Sequence, residues 1–200
     1  MRRVVVFALL ALVLPIAAWA DPINITNQYG SISVSASGIS SVGSQLTAFN
    51  SITAPQGKTI GSVSFSTGAL VSGSIWAGGV FSSTGSTFVI TAKGNFGMPK
   101  GTIFTGSFVG PVDWTLVSSQ GQNRVYQLSG EIEGTLWNGH TVTGSTTQTI
   151  KTAAGQIQAG IGHIRVGSTG LGTPEPGTLG LLGTGLVGIA GMLRRKMVRG

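Results

Sequence analysis

Three observations point to an all-β body between residues 23 and 167. Apolar and polar residues alternate there at a period of two, turn residues recur about every ten positions, and no long 3.6-residue apolar pattern runs through it. The abundance of Ser and Thr agrees, because Thr favours pleated surfaces and Ser suits exposed strand faces and turns. Two packed antiparallel sheets, a jelly-roll-like β-sandwich, are the first expectation. A β-barrel or a β-solenoid are the alternatives, and the lack of a fixed repeat counts against the solenoid. About 150 residues bury enough apolar surface to stand alone.

Taken in order, residues 31–37 alternate cleanly, with Ile32, Val34 and Ala36 on one face. Similar runs occupy 59–66, 71–77 and 87–92. Residues 102–109 place Phe104 and Phe108 on one face, and Gly110-Pro111 marks a turn or an edge-strand kink, since proline cannot donate to a ladder. Further runs cover 112–118, 124–129, 131–137, 141–150 and 156–166. The clearest hairpin is 131–142. A two-residue Asn138-Gly139 turn would put Val142 on the face away from Ile132 and Leu136. A three-residue loop, Trp137 to Gly139 with Gly139 left-handed, aligns Leu136 with His140 and brings Val142 onto the apolar face. Register follows the buried face, so the bulged loop is expected.

Composition narrows the chemistry. Of 200 residues 33 are glycine, only 8% are charged and none is cysteine. Disulfides, thiolate metal sites and cysteine nucleophiles are thereby excluded. The net charge of +7 sits at the ends. Arg2 and Arg3 open the chain, and Arg194, Arg195, Lys196 and Arg199 close it. Between residues 21 and 173 six cations face four acids, which leaves no basic stripe for nucleic acid.

The two ends read as targeting segments. Residues 1–20 combine a basic start, an apolar run and the small-x-small pattern Ala18-Trp19-Ala20, the mark of a secretory signal cut by signal peptidase. The extracytoplasmic β-rich domain is then 21–168, followed by a linker, 169–176. Residues 177–193 are 17 uncharged positions, six of them glycine, and form the expected transmembrane helix. At about 1.5 Å per residue they reach about 26 Å, close to the ~30 Å of a hydrocarbon core. Arg194, Arg195 and Lys196 act as a stop-transfer cluster at the head of the basic cytoplasmic tail, 194–200. Gly183, Gly185 and Gly188 satisfy the dinucleotide pattern G-x-G-x-x-G, but no βαβ unit surrounds them and the match is rejected.

The order Pro174-Glu175-Pro176, apolar segment, basic cluster resembles the PEP-CTERM sorting signal of Gram-negative bacteria. The resemblance covers residues 173–196, with Thr173 where valine is common. It implies an exosortase-like membrane protease or transpeptidase as partner, acting near the motif at the inner membrane. It further implies export to the cell surface or extracellular matrix, in bacteria that make exopolysaccharide and biofilm.

Candidate sites in the body are sparse. Glu131 and Glu133 share a strand face, which a solvent-facing pair explains better than a glycosidase dyad. In the bulged register His140 takes the opposite face, which argues against a Glu/His metal site. No G-x-S-x-G elbow is present. No catalytic residue, metal or cofactor is therefore expected, and the body is read as structural or adhesive. The alternative is a glycan-binding module that stacks exopolysaccharide sugars on Trp76, Trp114 and Trp137, although large aromatics more often fill a core. An outer-membrane barrel is a more distant alternative. Asn24-Ile25-Thr26 has the N-glycosylation acceptor pattern, and its use is left open.

Overall fold

The computed structural model describes residues 22–153 and 162–172. Eleven strands make up the described part: β1 (Ile23–Ser35), β2 (Gly38–Phe49), β3 (Ile52–Thr53), β4 (Gly61–Ser66), β5 (Leu70–Ser74), β6 (Gly78–Phe81), β7 (Thr87–Lys93), β8 (Lys100–Gln120), β9 (Asn123–Leu136), β10 (Thr141–Ala153) and β11 (Gly162–Gly172). No helix occurs among the described residues. The expected signal segment 1–20, apolar segment 177–193 and basic tail 194–200 lie outside them. β11 continues to Gly172, so residues 169–172, expected in the linker, are strand.

The strands form a closed barrel, the alternative to the first-expected sandwich. The sheet runs β8-β7-β4-β2-β1-β11-β10-β9, and β9 pairs with β8 again, so eight antiparallel strands form a ring. Closure leaves the ring no free edge, whereas two packed sheets would have four. The β5–β6 hairpin lies outside the ring, paired through β6 to residues 112–115 of β8. β7 covers residues 100–106 of the same strand. Gly110 (φ 73°) and Pro111 fall where β8 leaves β7 and meets β6, which turns the expected turn or edge kink into a bend within one 21-residue strand.

Eight strands enclose a bore that side chains alone can fill. The filling differs between the two halves of the ring. On β4, β7 and β8 the rings of Phe65, Phe88, Phe104 and Phe108 meet at centroid distances of 5.8–6.1 Å, one pair stacked and three edge-on. Each such contact adds about 0.5–1.5 kcal/mol beyond the burial itself. The other half carries buried polar groups. Asn27 Nδ2 donates to Ser44 Oγ (2.7 Å) and to Gln148 Oε1 (2.9 Å). Gln148 Nε2 donates to Asn27 Oδ1 (3.3 Å) and to Thr146 Oγ1 (2.8 Å), and Thr146 is bonded to Thr169 at 2.8 Å. All five side chains are buried, and one connected network ties β1, β2, β10 and β11 together. Gly167 makes room for it, because a Cβ there would collide with Gln148 Oε1 and Asn27 Oδ1.

Outward positions are hydroxyl-rich, as in Thr143, Ser145, Thr147 and Thr149 of β10. Apolar side chains inside and hydroxyls outside invert the pattern of a lipid-facing barrel. The 131–142 hairpin has the bulged register: Thr135 pairs with Thr141, Leu136 N donates to the His140 carbonyl at 2.9 Å, and Gly139 is left-handed at φ 83°. Val142, Ile132 and Leu136 are all buried on the inner face.

The network makes a stability prediction. Gln148→Leu leaves Asn27 Oδ1 buried without a partner and lowers unfolding stability by about 1–3 kcal/mol. Adding Asn27→Leu recovers part of that loss, since both partners are then apolar. Urea midpoints of the two variants measure the difference; a double variant no more stable than Gln148→Leu would show that the stranded Asn27 carries no penalty.

Candidate functional site

The outward rows of β9, β10 and β11 create a groove on the barrel wall. Ladder pairing sets Val109, Glu131, Ser145 and Gly170 side by side in one row, and Glu133, Thr143 and Gly172 in the next. Because four of these positions are Gly, Ser or Thr, the wall is low there. A groove of about 520 Å³ results, bounded by Glu131 and Glu133 on one side and Pro22 on the other. Both glutamates are exposed. Two positions apart on one strand, they stand about 6.6 Å apart along the same wall. A glycosidic dyad instead faces itself across a cleft with the scissile bond between, and this geometry does not do that.

His140 and His163 lie at opposite ends of the barrel, the first beside the β9–β10 loop and the second near the start of β11, where its Nδ1 is 3.0 Å from the Gly30 carbonyl oxygen. Among the described residues no three His, Cys, Asp or Glu side chains gather as a metal site would require.

The tryptophans are dispersed. Trp114 is 1% exposed and stacks on Tyr126 at 4.5 Å between centroids, inside the protein. Its Nε1 donates to the Ile75 carbonyl at 2.9 Å, and Tyr126 Oη donates to the Trp76 carbonyl at 3.0 Å. These two aromatics pin the β5–β6 turn to the ring. Trp76 itself, on that turn, is 42% exposed. Trp137 is 48% exposed at the opposite end, where its ring meets Phe49 edge-on at 6.0 Å. Ten residues of β9 separate the two ends, from Tyr126 to Leu136, or about 33 Å of strand. No row of three rings exists: Trp114 is core, and the two exposed tryptophans are too far apart to stack on neighbouring sugars.

Sequence reasoning missed the groove because small residues carry no pattern of their own; only the pairing of β10 with β11 brings Thr143 next to Gly172. It also missed the role of Tyr126. Burial raises the Tyr126 pKa above its ordinary value, and the positive charge of Arg124 opposes that shift.

The sorting residues Pro174, Glu175 and Pro176 and the cluster Arg194, Arg195 and Lys196 lie outside the described residues, as do Ala18 and Ala20. Comparison with protein families matches the PEP-CTERM protein-sorting motif to residues 173–196. The chain thus carries, one residue after its last strand, a motif that marks substrates of an exosortase-type system. No curated protein and no solved structure matches the chain.

Tyr126 supplies a pH prediction. Its folded pKa is raised, so the stability it contributes is complete below the unfolded value of about 10 and is lost as pH climbs through the folded value. Tyr126→Phe removes the bond to the Trp76 carbonyl, lowers stability at pH 8 by about 0.5–1.5 kcal/mol, and flattens the alkaline decline. Urea midpoints at pH 8 and above pH 10 check both parts.

Proposed function

We propose that the chain is an exported cell-envelope or extracellular-matrix protein that an exosortase-like enzyme sorts through Pro174-Glu175-Pro176. Signal peptidase removes residues 1–20 after Ala20. Residues 177–193 then hold the protein in the inner membrane with Arg194, Arg195 and Lys196 on the cytoplasmic side. Release near the motif frees the barrel to the surface or matrix. The single observation that supports this reading is the sorting motif directly behind a complete barrel.

The barrel is the cargo, and its role is structural or adhesive. Side chains project into its bore, from the phenylalanine cluster to the Asn27–Gln148 network. What it offers is outer surface: hydroxyl rows, few charges and a shallow groove. A glycan-binding role is the second reading, favoured by the exposure of Trp76 and Trp137. With those rings at opposite ends, each would contact a separate sugar unit or a separate chain.

Replacing Glu175 with Ala leaves signal cleavage unchanged and traps the protein, at higher mass, in the inner membrane. Cell fractionation with mass spectrometry reads both. Arrival of the Glu175→Ala protein at the surface with its normal mass refutes the assigned recognition role. For the second reading, purified exopolysaccharide shifts tryptophan emission in the wild type, and the shift falls by about half in Trp76→Phe or Trp137→Phe if the two rings contribute equally. An unchanged emission spectrum removes glycan stacking from consideration.

A further inference from the structure

The sorting segment departs from one end of the barrel. That end comprises the start of β1, the loops 50–60, 94–99 and 137–140, and the end of β11 at Gly172. Three of the described cations, Lys58, Lys93 and Lys100, belong to this rim, and all are exposed. Lys93 and Lys100 face each other directly across the β7–β8 hairpin, an arrangement of like charges that weakens a ladder. The described carboxylates, Asp113, Glu131 and Glu133, sit in β8 and β9 and not in these loops; Glu133 is the nearest, on the outer wall.

Two large aromatics share the rim. Trp137 leans on Phe49, at the end of a strand on the far side of the ring, and leaves its outer face in solvent. Phe96 is 43% exposed at the tip of the 94–99 loop and adopts a left-handed backbone, φ 53°. A phenylalanine held in that conformation is strained, and here no burial of its ring compensates. Exposed Trp and Phe beside lysines, with no acid among the described residues of these loops, is the composition of a surface that meets the membrane interface.

Chain length selects the same partner. Only residues 173–176 separate Gly172 from the apolar segment, and four residues extend at most about 14 Å. The headgroup layer outside the hydrocarbon is itself about 5–8 Å deep. We propose that this rim is a membrane-contact surface: while the protein is anchored, the barrel stands rim-down on an anionic bilayer. Phe96 and Trp137 enter the headgroup layer, and Lys58, Lys93 and Lys100 pair with lipid phosphates. The inference rests on the anchored intermediate proposed above and names the surface that the intermediate uses. Its consequence is positional, because the Pro-Glu-Pro motif is then held at headgroup depth, where an enzyme embedded in the membrane works.

The test uses the full chain with Trp19→Phe, reconstituted into vesicles of phosphatidylglycerol and phosphatidylcholine that carry a headgroup-level nitroxide quencher. Flotation first reports anchoring. In the floated protein, Trp137 emission is quenched, Trp76→Phe leaves that quenching in place, and Trp137→Phe abolishes it. Trp76, about 33 Å away along β9, lies beyond the quencher. The variant Lys58→Glu/Lys93→Glu/Lys100→Glu, which alters no buried side chain, weakens rim binding by at least roughly fivefold per charge and lowers the quenching at low salt. Floated protein whose quenching is absent, or is unchanged by Trp137→Phe and by the lysine variant, overturns the inference while the anchor stands. Protein that fails to float overturns the anchored intermediate, and the inference with it.

Discussion

The pairing of β1 with β11 is the constraint on which the rest of the molecule depends. It joins Ile23 to Leu171 across nearly the whole body and converts a meander into a ring. Eight antiparallel strands are an even number, so the first strand enters and the last leaves at the same end. Any tail that follows β11 must therefore emerge beside the start of β1. The groove between Pro22 and Glu133 therefore lies beside this seam, and the tail leaves at the same end of the barrel as the lysine-bearing loops.

Closure also explains why the core is divided. Phenylalanines fill the half built by β4, β7 and β8, where dispersion and edge-on ring contacts hold the wall together. The seam half has hydrogen bonds across its bore instead. Asn27 and Gln148 satisfy each other's amides, and Ser44, Thr146 and Thr169 take the remaining positions. Such a network is directional and tolerates no slip, since moving β1 by one residue against its neighbours would turn Asn27 outward and leave Gln148 Oε1 unpartnered. An all-apolar seam would bury as much surface and specify the register less. The one described hydroxyl buried on this side without a partner is Ser41.

What was legible in the sequence follows the same physics. Strand content was readable wherever alternation was uninterrupted, as at Ile32 and Val34 or Phe104 and Phe108, and so was the bulged loop at Trp137–Gly139, because Val142 has one apolar face to join. β2 escaped notice because Gly43 (φ 70°) interrupts it, so that buried Ser41 and Ser44 fall out of step on either side of the break. The first half of β1 was hidden in the same way by the left-handed pair Tyr29 and Gly30. Sandwich and barrel share one local pattern; what separates them is whether the two outermost strands meet, and that contact spans some 140 positions of chain. Trp114 and Trp137 looked equivalent as aromatic residues of strands, yet one stacks on Tyr126 in the interior and the other caps the mouth against Phe49. Only the third dimension separates them.

The order of events on export follows from the seam. β11 is the last strand of the body to leave the membrane, and it supplies partners to both β1 and β10. Until residue 172 is available, Asn27 and Gln148 lack the wall between them that holds their amides in register, and β1 and β10 both present an open edge. Pairings of such long range form late, after the local hairpins β1–β2, β8–β9 and β9–β10 have bought the compaction that makes them affordable. An open strand edge invites pairing with other chains. If the tail is the anchor proposed above, residue 172 stays near the bilayer through that interval, and the short distance between last strand and sorting motif then has a rationale in folding as well as in recognition.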